Sequence, residues 1–156
     1  MVEKYEVSIN QAKDTLDSIH KMIIITMPVL KDNKFLIKIF ENLHDSILSL
    51  VRAVLQYEYL HKRISLYRDA ESNFETFREC AKRYHIPESS VSQIRKILML
   101  MKKHRESPVE FVKKEKFVIL SENLRIETIT LEKLMEFYAM ASDVLNKTDV
   151  YFNKQY

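Results

Sequence analysis

At 156 residues, 46% hydrophobic and 30% charged, the chain has the size of one domain and can bury a core without disulfides or a structural metal. It has no Gly and only three Pro, too little turn punctuation for an all-β fold, and its lone Cys80 excludes an internal disulfide framework. A formal charge of +3 is too small to imply a polyanionic partner by itself.

The expectation is therefore a single, mainly α domain over residues 1–156, an up-and-down bundle of about five helices with a small β-hairpin before the last helix. A solitary thiol suits a reducing cytosol. The N-terminus has no apolar signal core, and the most apolar stretch, Met22 to Leu30, falls far below the ~20 residues of a membrane span. A cytoplasmic protein without a membrane partner is expected.

Ile9, Ala12, Leu16, Ile19, Ile23 and Thr26 recur at helical steps and predict a first helix that ends near Pro28, with Asp32 and Asn33 as caps for the next. From Leu36 the stripe runs through Ile39, Leu43, Ile47, Leu50, Val54, Tyr57 and His61 to Ile64, about eight turns. Leu48, Val51 and Leu55 widen it, so neighbours should cover this helix on more than one side. A third helix is predicted over Asn73 to Tyr84, with Phe74, Phe77, Ala81 and Tyr84 inward, followed by a turn at His85 to Glu88.

The fourth helix has two candidate starts, Pro87 at its first position or Ser90 as cap with Gln93, and runs to about Arg105 with Val91, Ile94, Leu98 and Met101 buried. Pro108 to Lys116 has no clear period. Lys116 to Leu120 and Leu124 to Thr130 read as two strands around Ser121-Glu122-Asn123. Thr130 is placed to cap a last helix carrying Leu134, Phe137, Ala141, Val144 and Leu145 inward, with a polar tail from Asn146 onward.

Charge is unevenly distributed. Arg78 to Lys116 holds eleven Lys/Arg against five acids, net +6, leaving −3 for the remainder. Within it, ECAKRYHIPESSVSQIRKIL resembles a helix-turn-helix, with Ala81 at the helix contact and Ile86, Val91 and Ile94 inward. The resemblance implies that Ser89, Ser92, Gln93 and Lys96 face the bases of DNA. Lys102, Lys103 and Arg105 add cations able to meet nucleic-acid phosphate.

Long helices followed by KKHRESPVEF, a hairpin and a terminal helix make the chain similar to HEPN-like bundles. The words YEYLHKRISLY, ESPVEFV and EKFVIL bring it nearer to an uncharacterised archaeal family. That resemblance implies a homodimer and, where active, a metal-independent ribonuclease whose Arg and following His are separated by four to six residues. Arg78 and His85 have that spacing, whereas the likeness points to His104, before which no Arg stands at positions 97–99. Arg suits phosphate binding and His proton exchange.

Glu41 with His44 and Glu58 with His61 have the Glu-x-x-His step of di-iron bundles, but lie about 25 Å apart on one helix, so no metal or other cofactor is expected. Without Gly there is no phosphate loop or nucleophile elbow, and Cys80 falls on an inward face. The sequence thus points to a non-enzymatic interaction module binding DNA or RNA through its basic helical segment, with a HEPN-type ribonuclease and a protein-only scaffold as the alternatives.

Overall fold

The computed structural model describes residues 2–30, 34–107, 109–113, 116–120 and 125–154. Helix α1 (Lys4–Lys21) runs through a π-helical turn (Met22–Thr26) into the short α2 (Met27–Leu30), and α3 (Phe35–Leu60), α4 (Ala70–Ala81) and α5 (Glu88–Glu106) follow. Three strands, β1 (Val109–Lys113), β2 (Lys116–Leu120) and β3 (Ile126–Thr130), precede α6 (Leu131–Lys154). The bundle of five long helices with a small antiparallel hairpin before the last one is thus present. The segment without a clear period supplies β1, which pairs with β2 and extends the hairpin to a sheet of order β1-β2-β3.

Helix α3 is the centre. It touches α1, α4, α5, α6 and β2, and Leu36, Ile39, Phe40, Leu43, Ile47, Leu50, Ala53 and Val54 are all fully buried. The buried positions lie on more than one face, as the widened stripe requires, and small Ser46, Ser49 and Ala53 keep its backbone near its neighbours. From the other elements Leu16 and Ile19, Phe77, Ile94 and Ile97, Phe117, Ile119 and Ile129, and Leu134 and Phe137 close on it as one apolar core. An isolated hairpin is marginal in water, and here the third strand and the buried side chains of Phe117, Ile119 and Ile129, which dock the sheet on the helices, hold it.

Several boundaries differ from the sequence expectation. The first helical run ends near Pro28, as expected, but carries two residues past it, to Leu30. Proline lacks an N–H and crowds the carbonyl four residues earlier, and the wide turn before it, where the Met27 N–H donates to the Met22 carbonyl, lets the helix pass. Helix α3 stops at Leu60, about 39 Å long, leaving His61 and Ile64 outside it. Helix α4 starts at Ala70 because the Asp69 carboxylate accepts from the Ser72 N–H at 2.8 Å. Pro87 is the cap of α5, and Ser90 lies buried inside its first turn. The expected caps Asp32 and Asn33 and the loop Ser121-Glu122-Asn123 lie outside the described residues.

The polar tail from Asn146 is corrected outright: α6 continues to Lys154, because Val144, buried Thr148, Tyr151 and Phe152 carry its inward stripe onward. Its start matches expectation, with the Lys133 N–H donating to Thr130 Oγ1 at 3.0 Å.

A chain without glycine must end helices with other residues. Lys62 and His85 both adopt left-handed φ, 60° and 59°. Each closes a paired-bond cap: Arg63 N–H to Glu58 O with Lys62 N–H to Tyr59 O, and Ile86 N–H to Ala81 O with His85 N–H to Lys82 O. The left-handed conformation costs a residue with a Cβ roughly 1–2 kcal/mol. Lys62→Gly is therefore expected to stabilise the protein by up to about 1 kcal/mol after glycine's own entropy is counted, measured by denaturant unfolding.

Candidate nucleic-acid interface and a buried ion-pair centre

Helices α4 and α5 meet through Ala81, Ile86, Val91 and Ile94, all buried, around the left-handed turn at His85. Two arginines brace them. Arg78 Nη2 reaches Glu88 Oε1 at 2.7 Å, matching the acid in the first turn of α5 with a cation from α4. Arg95 bonds Glu75 at 2.6 Å and Glu71 at 3.0 Å and lies over the Phe74 ring.

The candidate DNA-reading residues are open to solvent rather than covered by α3: Ser89, Ser92 and Lys96 are exposed and Gln93 is half-buried. At about 100° per residue these four share one face of α5. The remaining cations do not join them. Lys102 lies about 120° and Arg105 about 180° around the helix from Lys96, and Lys103, on the same side as Lys96, is bound to Glu127 of β3 at 2.7 Å. The basic segment is therefore not one continuous face. Lys96, Lys102 and Arg105 form no ion pair among the described residues, whereas Arg78, Lys82, Arg83, Arg95 and Lys103 do.

The ribonuclease candidates are dispersed as well. The Arg78 guanidinium is engaged by Glu88 and Glu75. His85 is exposed at the turn. His104 is half-buried, its ring set edge-on to Phe117 (5.3 Å) and Phe40 (6.0 Å) where α5 meets α3 and β2.

Sequence spacing did not disclose the centre formed where α3, α4 and α6 end. Glu58 is fully buried on α3; its Oε2 accepts from Arg63 Nε at 2.6 Å and also pairs with Nη2 of the same guanidinium. Its Oε1 faces Arg83 Nη1 at 3.4 Å without a hydrogen bond. Around it Tyr84 stacks on Tyr151 (3.9 Å) and Tyr57 on Phe152 (4.4 Å). The buried Tyr84 hydroxyl has no hydrogen-bond partner among the described residues, and burial, with the Glu58 charge adding to it, raises its pKa far above the ordinary range. The available signal was an acid directly beside the inward stripe, Glu58 after Tyr57.

These contacts explain the second of the Glu-x-x-His steps. Glu58 is held by two arginines, and His61 outside the helix donates from Nδ1 to the Tyr57 carbonyl at 2.9 Å. No group of three metal-ligating side chains converges among the described residues. Burial, reinforced by Glu58, pushes the Cys80 thiol up to about 11, so almost none is thiolate at neutral pH. No helix among the described residues is long and apolar enough to cross a membrane.

The arginines that hold buried Glu58 keep 30% and 45% of their side-chain surface in water, so its removal leaves them partly solvated. Glu58→Gln is expected to destabilise the fold by about 1–2 kcal/mol through its lost charge-assisted hydrogen bonds, whereas Lys13→Ala, which breaks the exposed Lys13–Asp149 pair, should cost less than about 1 kcal/mol in the same denaturant titration.

Buried His44 supplies a pH test. Burial lowers its pKa below the ordinary 6.5, Arg105 and Arg52 add to the effect, and the Asp45 carboxylate at 3.3 Å opposes it. The unfolded chain thus takes up this proton first as pH falls. Stability is whole above 6.5 and declines below it until the folded ring also protonates. His44→Leu is expected to flatten the decline of the thermal midpoint between pH 7 and about pH 5; equal slopes would discount this group.

Comparison of the chain with protein families, curated proteins and solved structures finds no match.

Proposed function

We propose that the protein is a non-enzymatic nucleic-acid-binding module that presents the outer face of α5. The observation that carries this reading is the exposure of Ser89, Ser92 and Lys96 on one face, directly after a tight turn and on a helix braced by Arg78 and Arg95. Hydroxyl and amide side chains pair with base edges in a major groove, and Lys96 can take a phosphate or a guanine. Lys102 and Arg105 point elsewhere and contribute to the long-range field.

A HEPN-type ribonuclease has less support, since carboxylates occupy Arg78 and aromatic edges enclose His104. A scaffold that binds only protein is the outcome left if no nucleic acid binds.

Gel-shift titration of duplex DNA and of RNA tests the proposal. Binding is expected at ~50 mM salt and should weaken as salt rises, and Lys96→Ala should lower affinity and reduce the slope against log salt by about 0.9 on duplex DNA. Absence of binding to either polymer would overturn it. RNA cleavage in chelator that disappears in His85→Ala or His104→Ala would replace it with the ribonuclease.

A further inference from the structure

A cavity of about 360 Å³ opens where the α4–α5 turn meets the last turns of α6. Arg83, His85, Lys147 and Lys154 line it with Asn146 and Tyr151, and no Asp or Glu is among its described lining residues. Lys147 and Lys154, seven residues apart, lie on one face of α6 two turns from each other, so both reach the same opening.

Arg83 connects the cavity to the buried centre beneath it. One guanidinium nitrogen faces the Glu58 carboxylate at 3.4 Å, while the side chain remains 45% exposed. A guanidinium has five N–H donors, so Glu58 orients this one and leaves donors directed outward. Glu58 does not cancel the local charge, because Arg63 shares it. Lys147 is steadied by Asp143 at 2.9 Å, and Lys154 has no ion pair among the described residues. The Asn146 amide and the Tyr151 hydroxyl add neutral donors, and the exposed side chain of Val150 supplies an apolar wall.

From this arrangement we infer that the cavity binds a phosphate monoester of mononucleotide size. Arg83, Lys147 and Lys154 around a half-open cavity suit a dianion, a guanidinium oriented by the Glu58 carboxylate suits phosphate geometry, and the volume fits a small ligand rather than a bare ion. The site stands apart from the α5 face and does not depend on the reading of that face.

The test is calorimetric titration of the full chain with adenosine 5′-monophosphate, inorganic phosphate and adenosine. Adenosine 5′-monophosphate is expected to bind, phosphate to bind more weakly, and adenosine not to bind. Lys147→Ala/Lys154→Ala should weaken the nucleotide at least about tenfold with an unchanged thermal midpoint. Arg83→Lys keeps a cation for Glu58 and should weaken it too, whereas Lys96→Ala should leave it unaltered. No heat with the nucleotide at millimolar concentration, adenosine binding as well as the nucleotide, or a double variant that binds like the parent would each overturn the inference.

Discussion

Burial of α3 on nearly every side is the constraint on which the rest of the molecule depends. A helix with an apolar stripe this wide cannot face water, and α1, α4, α5, α6 and the sheet are the surfaces that cover it. Each of them is amphipathic in turn, so its polar face is outward once its apolar face has closed on α3. The exposed face of α5 and the cationic face of α6 are consequences of that closure.

The same packing creates an electrostatic demand. Where α3 ends, the C-terminal parts of α4 and α6 seal Glu58 from water, and an isolated carboxylate there would cost several kcal/mol. Arg63 from beyond the helix end and Arg83 from the α4–α5 turn supply the counter-charge. The left-handed caps at Lys62 and His85 reverse the chain directly before Arg63 and two residues after Arg83. Buried charge, helix termination and the mouth of the cavity are thus one arrangement, and Arg83 belongs to all three.

Much of the fold was legible because it follows from local periodicity. The stripes of α1, α3 and α5, the Thr130 cap and the strands at 116–120 and 126–130 rest on spacings that a burial pattern must obey. Boundaries were less legible where a distant contact outweighed a local signal. Asn146 reads as the start of a tail, yet Thr148, Tyr151 and Phe152 find a surface to cover. The strand at 109–113 has no period of its own and forms because β2 offers an edge to pair with.

By itself the sequence determined a helical bundle, the buried stripe of its central helix and the segment in which the basic residues gather, since composition and period depend only on neighbours along the chain. Tertiary structure decided which charges remain available. It assigned Arg78, Arg95 and Lys103 to carboxylates, separated Lys102 and Arg105 from Lys96 around one helix, and brought Arg83 and His85 beside Lys147 and Lys154 from the far end of the chain. The reason is physical: charge pairing and cavity formation depend on distance in space, and residues some sixty positions apart acquire a distance only when the core between them has closed.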